Sequence, residues 1–358
     1  MRKKTVLLLP LCVLAAAAVW AVAAGDAADP LVSLSYLNGA FTNTVDAEID
    51  RRLDAAGSAW SPAPEVPPAT AAGWTESCLK EGDLLLVNTG GSVLLLAGSG
   101  QVTYASGAVV DVTAGAELPS GGLLQPRHRY LVAEDTAASF LVTSKTAVAD
   151  CQGVYSLNAS PAVDYYAMAS ALKSLHLFQG SLTGYGQGFD LHAAPTRLQA
   201  LIMFIRVLGE EQEALAWTGV HPFEDIQPGS QGEKYVGYAY ERGYTNGYSA
   251  TQFRPSNPVS AQQYTEFILR ALGYSSAANT NLSDTLDRAQ NAGVLTPGEA
   301  AMLQTDPFLR AELVYISYYA LEATVPSSGR TLAETLMEKG VFTQWERDSA
   351  PQVASWRL

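Results

Sequence analysis

The sequence predicts a multidomain chain, a small all-β sandwich or barrel followed by an all-α bundle of three repeats. Three observations lead there. Between about residues 81 and 155, short apolar runs alternate with glycine-bearing turns, the texture of antiparallel hairpins. From residue 164 onward the apolar period becomes helical, and a pattern of helix, glycine turn, loop and helix recurs three times. At 358 residues the chain exceeds one small core, and a stretch at 61–72 with Pro62, Pro64, Pro67 and Pro68 reads as a linker.

In chain order, residues 1–24 read as an export signal. Arg2, Lys3 and Lys4 precede an apolar run over 6–22, and Ala21-Val22-Ala23 fits an A-x-A cleavage site. The competing reading is an uncleaved membrane anchor. Cys12 follows Leu11 where a lipoprotein would need a small residue, so it is assigned to the removed segment. Residues 25–75 form an arm, with an extended piece at 31–38, a helix at 46–56 carrying Ile49 and Leu53, and the linker. The formal net charge of −13 argues against nucleic acid or, once the signal is cleaved, an anionic membrane as a general partner.

The β-domain is expected over 76–157. Its strand-like runs include Leu84-Leu85-Leu86-Val87, Val93-Leu94-Leu95-Leu96, Val109-Val110-Asp111-Val112, Tyr130-Leu131-Val132 and Phe140-Leu141-Val142-Thr143. The basic cluster Arg127-His128-Arg129 reads as a solvated strand entrance rather than a binding site. Cys78 and Cys151 bracket the domain, and export permits them to pair; two free buried thiols are the alternative.

The repeats fall at about 164–211, 222–274 and 281–321 within 158–325, and 326–358 adds a helix and tail. Their second helices start at Thr196-Arg197-Leu198-Gln199, Ser260-Ala261-Gln262-Gln263 and Leu309-Arg310-Ala311-Glu312. Thr196 with Gln199, and Ser260 with Gln263, fit a capping box. Apolar stripes follow at Leu201, Phe204, Ile205 and Leu208; at Tyr264, Phe267, Ile268 and Ala271; and at Leu313, Ile316 and Ala320. They predict a shared three-helix core. Arg197 and Arg310 place a cation in a first turn, against the helix dipole. Such a residue meets an external anion or pairs with a carboxylate of this acidic chain, and the sequence leaves both readings open.

Repeat two opens on Phe223-Glu224-Asp225-Ile226, turns on Gly243-Tyr244-Thr245-Asn246-Gly247 and carries Phe253-Arg254-Pro255. With the helix starts above, these motifs resemble the S-layer homology (SLH) repeat family, whose units combine F-x-D-V/I, G-I/V-x-x-G, F-x-P and T-R-A-E. The resemblance covers about the last 195 residues and is specific in repeat two. It implies a pseudo-threefold bundle whose inter-repeat grooves bind secondary cell-wall polysaccharide, often pyruvylated, on Gram-positive (Firmicutes-type) bacteria. On that reading Arg197, Gln199, Arg310 and Glu312 hold the polymer, and Tyr244, Gly247, Tyr248 and Trp217 supply faces and close approach; repeat packing is the other use of those aromatics. Ala261 stands where the family has Arg, so the groove that depends on it is expected to be weak or dead.

No catalytic constellation emerges. His128, His176, His192 and His221 lack metal-ligand spacing, and no nucleophile elbow or phosphate-binding loop is present. The expectation is a non-catalytic exported surface protein without a cofactor, displaying its β-domain. A wall-acting hydrolase or accessory subunit, and a degenerate SLH fold used for self-assembly, are the alternatives.

Overall fold

The computed structural model describes residues 73–180, 184–275 and 282–358, with Asn43, Thr44 and Ala47 besides. The expected signal, and the arm and linker apart from those three positions and 73–75, lie outside the described residues.

Two antiparallel sheets face one another, which resolves sandwich against barrel. The first runs in the order β1 (Thr75–Lys80), β9 (Thr146–Gln152), β3 (Ser92–Ala97), β7 (Arg129–Ala133), β5 (Ala108–Asp111), β6 (Ala116–Glu117). The second is β10 (Tyr155–Asn158), β2 (Leu84–Asn88), β8 (Ala137–Val142), β4 (Gly100–Thr103). Alternation along β2, β5 and β7 sends every second residue inward, as a period of two requires. Leu85, Val87 and Phe140 thereby meet Val93, Val109, Tyr130 and Val132 in one core.

β9 breaks the alternation because both of its faces are covered. Ala147, Ala149 and Cys151 enter the sandwich core, whereas Val148 joins the core of the helical region. A register shift between Leu95 and Ala97 gives Ala97 the same outward role. The thiol pairing that the sequence allowed fails here. Cys78 pairs in register with Val148 and Cys151 with Thr75, so the two side chains are offset along adjacent strands and point to opposite faces. Both thiols are free, and burial pushes Cys78 up to about 12 and Cys151 up to about 11.

The helical region comprises α1 (Tyr165–Ser174), α2 (Arg197–Leu208), α3 (Glu211–Ala216), α4 (Gln231–Glu241), α5 (Ala261–Leu272), α6 (Thr285–Asn291), α7 (Pro297–Thr305), α8 (Arg310–Ala320), α9 (Leu332–Glu338) and α10 (Gln344–Ser349). Capping boxes at Thr196 and Ser260 begin α2 and α5, and left-handed Gly209 and Gly273 end them. Each second helix packs on the first helix of another unit: α2 on α4, α5 on α6, and α8 on α1.

Two expectations change. The stripe Leu201, Phe204 and Ile205 faces α4 in a local core, while Ala200, Met203 and Val207 on the other side of α2 enter the larger one. So α2 is buried on two faces, and the three stripes do not meet on one axis. In repeat three, α7 occupies a stretch where only a loop was expected. Its start, Thr296-Pro297-Gly298-Glu299, is a capping box with proline in the first turn.

The β-domain is not held apart on a stalk. Ala97 and Val148 share a core with Tyr166, Leu191 and the helices, and Lys145 reaches Asp306 and Glu312 at 2.7 Å each. The described residues from 73 to 358 belong to one compact unit.

Candidate functional site

The motif residues act first on one another. Asp225 accepts from the amides of Phe253 (2.8 Å) and Arg254 (2.7 Å), tying the opening motif of repeat two to its F-x-P segment. Partial desolvation alone would raise its pKa, but these amide bonds outweigh it and leave the carboxyl below its ordinary value. Gly247 sits in the left-handed region at φ 76, and a Cβ there would lie 2.3 Å from the Phe223 ring. The glycine is set by packing of the motif phenylalanine.

Two junctions between units are built alike. At the first, the amides of Arg197 and Leu198 donate to Asn257 and Pro255; at the second, those of Arg310 and Ala311 donate to Ala193 and Leu191. Arg197 Nε donates to Phe253 O at 3.0 Å with its guanidinium 5.1 Å from the Phe253 ring. Arg310 Nε donates to Phe189 O at 2.8 Å with its guanidinium 5.3 Å from Phe178. Desolvation pulls both guanidinium pKa values down, and Asp225 and Asp190 respectively pull them back up. Both arginines remain charged at neutral pH.

Each junction opens into a cleft. One, of about 200 Å³, is lined by Arg310, the turn residues Phe178, Gln179 and Gly180, the capping Gln199 and Arg206. The other, of about 240 Å³, is lined by Arg197, the turn residues Tyr244 and Gly247, the capping Gln263 and Arg270. The parts correspond: an arginine from the preceding unit, a turn, the capping glutamine and the arginine at the tenth position of the second helix. Arg206 is paired with Glu211 at 2.8 Å, and Arg270 donates to Tyr244 O at 3.0 Å and to Glu266 at 3.3 Å. Such a cleft offers guanidinium groups to an anion and a ring or backbone edge to an apolar face.

The structure therefore brings Arg310 together with Gln199, and Arg197 with Tyr244 and Gly247. It sends the other residues of the expected set elsewhere. Glu312 is 1% exposed and held by Lys145 and by the amide of Leu309. Trp217 lies flat against Gly237, where a Cβ would approach the indole to 2.1 Å, and its Nε1 donates to Glu241 at 2.7 Å. Tyr248 is 59% exposed beneath the Arg254 guanidinium, 3.5 Å away, and lines neither cleft. Tyr244 also donates to Glu210 (2.9 Å); desolvation first, and that carboxylate second, push it up to about 12.

Sequence reasoning missed Arg206, Arg270 and Glu266. The two arginines occur at the same place in the second helices, one residue of a last turn each, a signal that alignment of the two helices contains. Glu266 is buried and takes Arg270, Arg288 at 2.7 Å and the Ser275 hydroxyl, and nothing in its sequence neighbourhood announces this. Among the described residues no group of three or more His, Cys, Asp or Glu has the arrangement to hold a metal ion, and no helix is long and apolar enough to cross a membrane.

Residues 222–264 match the family model described as S-layer homology domain. The match runs from Pro222, beside the opening motif, through the F-x-P segment into α5. Comparison with curated proteins finds no match.

Proposed function

We propose that this chain, which carries an S-layer homology domain and with it a cell-surface anchoring module, attaches to an anionic secondary cell-wall polysaccharide through the two clefts. The observation that supports the reading is their correspondence: each places a desolvated arginine of one unit against the glycine turn and capping glutamine of the next. A ketal-linked pyruvate presents a carboxylate on a sugar, and a guanidinium receives it through parallel charge-assisted bonds. The polymer would also recover part of the solvation that burial removes from Arg197 and Arg310.

The chain acts by holding, without catalysis. Its three units close in a pseudo-threefold ring, supported by the packing of α2 on α4, α5 on α6 and α8 on α1. Export delivers it to the wall, and its β-domain is carried as part of the same body.

Co-sedimentation of the purified protein with cell-wall sacculi, before and after acid removal of the secondary polymer, tests the proposal. Binding is expected to vanish on stripping. Arg197→Lys with Arg310→Lys keeps both charges but loses the fork, so binding should fall by about tenfold or more while the thermal midpoint shows the fold retained. Undiminished binding to stripped walls, or by a folded double variant, would remove the polymer and these arginines from the account.

A further inference from the structure

The third unit lacks the parts that make the other two clefts cationic. Ala261 replaces the arginine from the preceding unit, and Tyr319 takes the tenth position of α8, where α2 and α5 have Arg206 and Arg270. Yet a guanidinium is present, and it comes from another part of the chain. Arg357 makes a two-point pair with Glu299, Nε to Oε1 at 2.7 Å and Nη2 to Oε2 at 3.0 Å. Its Nη2 also donates to Val294 O at 2.8 Å, and its guanidinium lies 4.8 Å from the Tyr319 ring.

Val294 corresponds to Tyr244. Each follows a left-handed glycine, Gly293 or Gly243, and each donates its amide to the alanine carbonyl five residues back, Ala289 or Ala239. In repeat two the Tyr244 carbonyl receives Arg270; in repeat three the Val294 carbonyl receives Arg357. The residues around Arg357 hold its segment at three further points. The Leu358 amide donates to the Tyr315 hydroxyl at 2.8 Å, the Thr296 hydroxyl donates to Leu358 O at 2.6 Å, and the Asp164 amide donates to the Ser355 hydroxyl at 3.1 Å.

We propose that the groove of the third unit is an arginine-recognition site for a peptide segment, filled within the same chain by residues 355–358. A carboxylate meeting the guanidinium fork, a carbonyl accepting from its Nη2 and an aromatic ring beneath it together select arginine over lysine, because an ammonium satisfies only a point contact. Glu299 is paired with Arg357, so an anionic sugar that displaced the segment would strip this carboxylate of its cation and face it directly. The third groove thus holds peptide where the other two hold an anion, and the segment clasps α7 and α8 to the start of α1.

The test uses a fluorescein-labelled peptide of sequence 352–358 and the chain lacking 353–358, with circular dichroism to establish that this variant is folded. Binding at least tenfold tighter to the shortened chain than to the intact one is expected. Lysine in place of arginine in the peptide, or Glu299→Gln in the shortened chain, should weaken it at least tenfold; Gln keeps the capping role, as Gln199 and Gln263 do. Equal affinity for the arginine and lysine peptides, or no binding by the folded shortened chain, overturns the proposal. Should the shortened chain not fold, Arg357→Ala in the intact chain decides. Hydrogen exchange at the Leu358 amide should accelerate at least tenfold, and unchanged exchange overturns the assignment. None of these readouts involves the wall, so they stand or fall separately from polymer binding.

Discussion

A cation in the first turn of a helix is locally unfavourable, and Arg197 and Arg310 show what offsets it. Each sends Nε to a phenylalanine carbonyl of the neighbouring unit and spreads its guanidinium over an aromatic ring. The same arginines therefore join units and line clefts, which is why lysine is a better probe of binding than alanine. Asp225 is the clearest single-residue case for stability. Its folded pKa lies below the ordinary 3.8, so its contribution is complete above that value and is lost as pH falls through the folded pKa. Asp225→Asn should cost about 0.5–1.5 kcal/mol at neutral pH, because one of two backbone amides loses its acceptor at a position open to water. The variant should also lose less stability than the parent below about pH 4. Urea unfolding at pH 7 and pH 3 measures both; an equal loss at the two pH values would mean that Asp225 is not the group responsible.

Among elements, α7 shows how a local signal alters a repeat. Thr296 accepts from the Glu299 amide at 3.1 Å while Glu299 accepts from the Thr296 amide at 2.8 Å, so a new helix begins where repeat two has an irregular loop. That helix brings Glu299 beneath Arg357 and gives the third groove its acidic character. Thr296→Ala removes the cap and the bond to Leu358 together, and a loss of about 1–2 kcal/mol is expected. Thermal unfolding checks this, and the loss should shrink to the cap alone in a background lacking 353–358. The apolar stripes illustrate another elemental effect. A helix buried on one face shows one stripe, but α2 is covered on two faces, and its sequence pattern alone does not say which stripe meets which neighbour.

At the scale of the whole compact unit, sandwich and repeats depend on each other. Lys145, in the turn between β8 and β9, supplies the cation for Glu312, whose carboxylate is out of contact with water. Lys145→Met should destabilise by on the order of 2–3 kcal/mol, since it leaves a buried charge with only a backbone amide. Because Ala97 and Val148 belong to the helical core, near-ultraviolet circular dichroism and tryptophan fluorescence should report one coincident transition in both proteins. Two separated transitions would show that the domains fold independently.

A β-rich region, the starts of α2, α5 and α8, and the likeness of repeat two to its family were legible in the chain alone. These rest on signals carried within a few residues: alternation, capping pairs and glycine turns. The arginines Arg197 and Arg310 were legible as residues set against their local preference, with their use left open. The remaining features depend on long-range packing. Opposite strand faces keep Cys78 from Cys151, a packing contact claims Trp217, Lys145 claims Glu312, and Arg357 reaches the third groove. Each depends on residues far apart in the chain approaching to within a few ångströms, and such partners leave no trace in local periodicity.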